Sequence, residues 1–567
     1  DDSLIKADSV LLSHVQNINN TQDSVIEGSS NLQITDVNTL NNNKSSLQSD
    51  GDVTISNVSD VSNVNGLISS GGILDINHVE NLLNTAVSTI QASAALLINS
   101  VTSLENTEGS SLISQDVMNI DTVKNIHNDA SGQIISETAL NISNAESLEN
   151  AGTIQSNSNL SIENVLTLLN SGESSLIAAL DNLTMANITS LSNTESATLS
   201  AGLELVLNSI GTLINNAALI QSEDALTINA ANLTNLAGNI QSYGDIVLNI
   251  TNILENLSSS GIDEYDNPTV FNANLVSDGN IDIHANTLVN NSEINATNVL
   301  VDVNDLNNTS GNIEGFSTAD LRIKNDFVNQ DGTVRGNDKL SLDMAKDFVF
   351  DEAAGDLLTT QELSIHSDGN IEVRGSLESM GDIILDAGKD ITNYFAIVSN
   401  QDITLKGKNI TNAYNAPGTD SEGNPVAGMS SLIWAFGDVN IDAREGTFHN
   451  QKYGNVLSVG DMSIIAHDII NDAGIIRSEG DMALDAQSLS NLSEYSGGGW
   501  QTGALQEGEG FIEDYVKAAT YVSWRVETYL PVLSSDLAVT TKAEISSGGK
   551  IDINQRGIFE NTAENPL

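Results

Sequence analysis

Few residues of this 567-residue chain stand where chemistry would need them. Arg322-Ile323-Lys324 is the triplet that comes nearest to a substrate site, because it is similar to one piece of the sites of polysaccharide-cleaving enzymes. Cleaving such a polymer also needs clustered carboxylates in acid and base roles. The expected companions, an Asn-Thr-Asp and a His-Gly, do not occur, so the triplet reads as coincidence. The seven histidines stand singly, with no pair at metal-ligand spacing, and there is no cysteine to supply a thiolate or a disulfide. A Gly-x-Ser-x-Gly elbow, a phosphate loop, a dinucleotide fingerprint, an EF-hand loop and the glycine-aspartate nonapeptide of calcium solenoids are all absent. The sequence therefore offers no catalytic, cofactor-binding or metal-binding residue.

Recognition of a partner is the chemistry that remains. It favours aromatic and arginine anchors. Residues 1–242 contain no aromatic side chain, and Lys6, Lys44 and Lys124 are the only basic residues before Arg322. That stretch reads as spacer. Tyr495, Trp500, Phe511, Tyr515, Tyr521, Trp524 and Tyr529, by contrast, put seven of the 22 aromatics within 35 residues. Trp500, Phe511, Tyr515, Tyr521, Trp524, Arg525 and Tyr529 are the candidate anchors there, with Tyr265 and Trp434 as further candidates elsewhere. Packing of these rings against the body of the protein is the competing role.

The formal net charge is −56, from 76 acidic and 20 basic residues. Such a surface repels nucleic acid and anionic lipid, so neither is an expected partner. A hydrophobic content of 39% is too high for a disordered acidic chain. No apolar run is long enough to span a membrane. The chain opens on Asp1-Asp2-Ser3 and closes just after a repeat signal, which reads as an internal piece of a longer protein.

Internal repetition organises everything else. From Gly132, residues Ile134, Ser136, Leu140, Ile142, Leu148 and Asn150 follow at fixed offsets. The same offsets give Ile154, Ser156, Leu160, Ile162, Leu168 and Asn170 from Gly152, and Ile240, Ser242, Ile246, Leu248, Leu254 and Asn256 from Gly238. The closing asparagine recurs from Asn63 to Asn235 at intervals of 20 to 23 residues. Apolar residues come in pairs two apart, which places both on one face of a strand. Gly, Asn, Ser and Asp separate the pairs and supply turns. A unit this short cannot bury its apolar face alone, whereas stacked units can. The pattern predicts an all-β parallel β-helix of about 20–22 residues per coil, with the asparagine at one corner and its amides bonding from coil to coil. About 22 coils spaced ~4.8 Å apart would make a rod on the order of 100 Å long.

The later units carry a family signature. Gly381-Asp382-Ile383-Ile384-Leu385-Asp386-Ala387-Gly388-Lys389-Asp390-Ile391-Thr392-Asn393 resembles the repeat of filamentous haemagglutinin-type exoproteins, as do Gly460-Asp461-Met462-Ser463-Ile464 and Gly480-Asp481-Met482-Ala483-Leu484. Ser546-Ser547-Gly548-Gly549-Lys550-Ile551-Asp552-Ile553-Asn554 shares the likeness. The resemblance implies a right-handed solenoid on the outer surface of a Gram-negative bacterium or secreted from it. It also implies export through an outer-membrane two-partner-secretion transporter and a receptor on a host or neighbouring bacterial cell.

Breaks in the period divide the chain into regular coils at 1–257, a loop at 258–274, coils at 275–412, a loop at 413–433 and coils at 434–493. An aromatic-rich insertion at 494–541 and a resumed coil at 542–567 complete it. The expected function is the stalk and binding segment of a surface adhesin. The alternatives are the stalk and receptor-binding region of a contact-dependent growth inhibition toxin and, far behind, a polysaccharide lyase on the same scaffold.

Overall fold

A computed structural model describes residues 3–262, 267–351, 355–414, 418–419, 425–426, 430–496 and 538–564. No helix occurs among them. Two compact units divide at Asn312/Ile313, and each is a parallel β-solenoid.

In the first unit a coil consists of a long strand, a tight corner, a four-residue strand and a second corner. Leu140–Asn150 and Thr153–Ser156 form one such coil, and Leu160–Ser171 opens the next. Pairing is parallel and in register, Leu140 against Leu160 and Ile142 against Ile162, so each side chain sits over its counterpart. The apolar pairs point inward. Ile120, Ile142 and Ile162 form one continuous column, while Leu112, Ile134 and Ile154 form another. Ile162 and Leu248 are fully enclosed. Burying an isoleucine side chain this completely stabilises by roughly 1.5–3 kcal/mol.

The long strand bends because one residue adopts a left-handed conformation. Asp36, Asn57, His78, Ser100, Thr122, Asn144, Asn164, Asn187 and Ser209 occupy this corner in successive coils, with φ between 52° and 58°. Asn and Asp tolerate it through local hydrogen bonds, while the others are held there by the stack.

At the end of each long strand the asparagine side chain turns inward. Asn106 Nδ2 donates to Asn128 Oδ1 at 2.7 Å, Asn128 to Asn150 at 2.8 Å and Asn150 to Asn170 at 2.8 Å. The ladder runs from Asn20 through Asn42, and up to Asn290 and Asn308. Each amide also donates to the carbonyls that flank the short strands: Asn128 reaches Gly132 O at 3.1 Å and Thr153 O at 3.3 Å. The repeat glycine has its reason here. A Cβ on Gly132 would stand 2.4 Å from Asn128 Oδ1 and 2.4 Å from Asn106 O. Other coils put Ser110, Ser175 or Ala197 at this place, never a large residue in the first unit.

The second unit keeps the scheme with one substitution. Its ladder links Asn393, Asn412, Asn450, Asn471, Asn491 and Asn561 at 2.7–2.9 Å. In the two coils before Asn393 the same place holds Phe350 and Val373, paired in register and buried. The Gly-Asp dipeptide is explained at the opposite corner. Asp402, Asp438 and Asp461 each accept the backbone N–H of the next aspartate, at 2.7–2.8 Å. A Cβ on Gly480 would meet Asp461 Oδ1 at 2.3 Å.

Two substitutions test the inward face. Ile162→Asp places an unpaired carboxylate in the column and should cost at least about 3 kcal/mol. Because coils support only their neighbours, hydrogen exchange should speed up in Leu140–Asn150 and Leu183–Thr194 and stay slow in Asp52–Val64. Asn128→Ala removes the amide on which Asn106 and two carbonyls depend. It should lower stability by about 2 kcal/mol, measured by chemical denaturation.

Candidate binding surface

The three long interruptions of the coil among the described residues occur at one place in the repeat, and smaller shifts of one or two residues sit within the long strands, as between Ala443 and Thr447. After Asn256 the chain forms an antiparallel hairpin, Ser259–Ile262 against Pro268–Phe271, before the short strand Asn274–Ser277. After Asn412 a second hairpin pairs Gly418–Thr419 with Pro425–Val426 before Leu432–Ala435. Beyond Asn491 the strand runs on to Ser496, pairs antiparallel with Ala538–Thr541, and leads into Glu544–Ser547. All three follow a ladder asparagine and precede a short strand. Chain can be added there because the ladder amide bonds to neighbouring coils and not to the added chain, as Asn256 does to Asn290 and Glu293, and the coil restarts from a new strand.

The surface at these corners differs from the rest. Ile262, Val270 and Phe271 of the first hairpin are exposed. Near the second, the Tyr414 and Tyr453 rings meet edge to face at 5.3 Å, and Lys452 Nζ lies 5.1 Å from the Tyr453 centroid while pairing with Glu494. His449, on the strand leading into this corner, is partly buried. Its Nε2 has no hydrogen-bond partner among the described residues, and burial holds its pKa below the usual value despite Asp472 nearby.

Trp434 lies on the outward side of Leu432–Ala435 and contacts Phe436, their centroids 4.9 Å apart. It is the one sequence-derived anchor within the described residues. Tyr265, Trp500, Phe511, Tyr515, Tyr521, Trp524, Arg525 and Tyr529 lie outside them. Arg322 pairs with Asp320 at 2.8 Å, and Ile323 is buried, so the basic triplet is the alternation of a strand. Among the described residues no three metal-capable side chains gather. Sequence reasoning missed the aromatic corner of Tyr414 and Tyr453. Its signal was available, since both tyrosines fall just after a ladder asparagine.

A haemagglutinin repeat profile matches residues 5–78, 80–184, 206–257, 272–375, 353–424 and 437–499. The chain belongs to the haemagglutinin repeat family. This is a structural, adhesin-type family rather than an enzymatic one, and the repeats with their β-solenoid fit a filamentous haemagglutinin-like adhesin stalk. Its proteins are associated with secretion and the cell surface. No curated protein and no solved structure matches the chain.

Carboxylates of the haemagglutinin-repeat coils are held charged by backbone and hydroxyl donors. Asp468 lies below its usual pKa mainly through Ser488, and Asp121 mainly through Ser143. For Asp129, burial pushes the pKa up, but the backbone N–H groups of Glu108, Ser131 and Gly132 outweigh it and the net shift is downward. A depressed carboxylate stabilises the fold above its unfolded pKa of ~3.9, and this contribution disappears as the pH falls through the folded value. Asp129→Asn should therefore melt at a lower temperature than the parent at pH 7, with the gap closing between about pH 4 and pH 2. A gap that persisted at pH 2 in thermal melts would assign the loss to geometry instead of charge.

Proposed function

We propose that this chain is the stalk and binding segment of a large secreted bacterial adhesin, attaching the cell to another cell through loops carried on the solenoid. The observation that carries this reading is the common origin of the loops. Among the described residues, the long excursions from the regular coils all leave at the corner after the asparagine ladder, whereas additions within the long strands are one or two residues. In the second unit the corners after Asn412 and Asn491 are three coil steps apart, roughly 14 Å at the spacing of paired strands. They therefore put chain out along one edge. A binding function built this way needs no pocket. It uses a stiff support and exposed side chains, with Trp500, Trp524, Arg525 and Tyr529 as anchors of the kind that dominate protein interfaces.

In this reading the chain is exported by an outer-membrane two-partner-secretion transporter, is displayed on a Gram-negative surface and meets a receptor on a host or neighbouring bacterial cell; the family's association with secretion and adhesion supports it. The acidic surface agrees with this, because a net charge of −56 opposes retention on anionic lipid or nucleic acid.

Binding of the purified chain to epithelial cells and to related bacteria, before and after replacement of residues 499–535 by a short Gly-Ser linker, tests the proposal. Loss of binding with an unchanged far-ultraviolet β spectrum is the expected result, and the cell type bound separates a host adhesin from an interbacterial inhibition stalk. No binding by the parent chain to either cell type would reduce this segment to a spacer.

A further inference from the structure

The outer face of one sheet in the second unit is built unlike its counterpart in the first. The short strands Ser376–Ser379, Ala396–Ser399, Leu432–Ala435, Asn455–Ser458 and Ile475–Ser478 pair side by side in register. One outward row across them reads Glu378, Val398, Trp434, Leu457 and Arg477. In the row just beyond the strand ends, Met380, Phe436 and Val459 are 65%, 50% and 41% exposed. In the first unit the row equivalent to that of Trp434 is polar in most coils, with Ser69, Gln91, Gln155, Ser200, Gln221 and Gln241. A contiguous exposed apolar patch of this kind marks an interface. The two ends of the Trp434 row carry opposite charges. Glu378 and Arg477 are both exposed, and neither makes an ion pair among the described residues; Glu378 accepts a hydrogen bond from Ser376 Oγ at 2.6 Å.

We propose that this face is an interface between two copies of the chain, packed sheet to sheet with the second units antiparallel. A two-fold axis lying between the sheets, along Leu432–Ala435, sets Trp434 against its own copy and Val398 against Leu457 of the partner subunit. The same axis sets Glu378 against Arg477 of the partner subunit at both ends of the row. Acid, three apolar residues and base follow one another along the row, so reversing it exchanges the charges and leaves the middle apolar. A closed two-fold contact requires a patch that is complementary to itself in this way. Five strands at ~4.8 Å and five residues at ~3.3 Å span about 24 Å by 17 Å, roughly 400 Å² of flat face per copy before side-chain relief is counted. That is the low end for specific association and gives a weak dimer, with a dissociation constant on the order of 10 μM. The net charge of −56 on each copy does not forbid it, because exposed charges more than about 8 Å apart are largely screened at 0.15 M salt. The inference goes beyond the adhesin reading and holds whichever cell is bound. Paired chains would present their loops in duplicate, which raises avidity without any new contact.

Sedimentation equilibrium of the full chain at about 0.15 M salt tests the pairing. The parent should dimerise with the constant given above. Glu378→Arg makes both ends of the row basic, and Arg477→Glu makes both acidic. Each variant alone should dimerise at least about tenfold more weakly, since the two-fold repeats the clash at both ends. An equimolar mixture of the two should recover the parent's affinity to within about threefold, because one copy then offers only bases and the other only acids. Both side chains are exposed, so melting temperatures should match the parent's. A parent that stays monomeric at about 100 μM, tenfold above the expected constant, would overturn the proposal and leave the face to a different protein. Dimerisation indifferent to both reversals would place the contact elsewhere, and weakening that mixing does not reverse would assign the charges to the fold; either result also sinks the idea.

Discussion

The structure depends on one constraint, the need for every buried amide in the stack to find its partner in the next coil. A side chain such as Asn128 is fully enclosed, and an unsatisfied amide at that depth costs more than a single hydrogen bond returns. The solution is to repeat the group at the same place in each coil, so that each amide serves the one before and is served by the one after. Repetition at one position then fixes the others. Residues before the short strand stay small in the first unit because the amide occupies the space above them. The columns of Leu, Ile and Val keep their register because a one-residue slip would carry them all outward.

The same constraint decides where variation is tolerated. Within a coil, additions are limited to one or two residues at a bend of the long strand, after which the register resumes, as between Leu207 and Ile210 and between Ala443 and Thr447. Past the ladder asparagine the amide's partners lie in neighbouring coils and short strands and not in the added chain, and the antiparallel pairs Ser259/Phe271 and Ser496/Ala538 show chain leaving and returning at that point. Long additions of chain in this haemagglutinin-repeat protein are thereby kept apart from the columns that stabilise it. The coils supply the scaffold, and the corners carry the side chains that differ from one stretch to the next.

Much of this was legible in the sequence. Apolar pairs two apart, such as Leu160/Ile162, identified inward strand faces, and the spacing of asparagines from Asn63 to Asn235 marked the corner where the amides bond. The left-handed bend was not legible, because Ser100 and Thr122 occupy it as readily as Asn144, and neighbouring coils rather than local preference hold them there. Phe350 and Val373 were hidden for a similar reason. An apolar residue in place of the amide breaks no period, and only strand pairing reveals that it stands in the ladder. The apolar face around Trp434 went unread because its members come from strands 20 to 36 residues apart, where a linear scan sees isolated residues in a row of alternating strands.

The ladder has a polarity. At every step from Asn20 to Asn308 the nitrogen belongs to the earlier asparagine and the oxygen to the later one, and the order is the same from Asn393 to Asn561. Each finished coil therefore ends in amide hydrogens aimed at the place where the next coil will form. A chain that emerges amino terminus first would meet a template already offering donors to the incoming oxygen, so that coils are added in one direction like teeth of a zip. The side-chain dipoles, all aligned, would strengthen one another as the row lengthens. Direction of synthesis, direction of growth and direction of polarity coincide in a single column of asparagines.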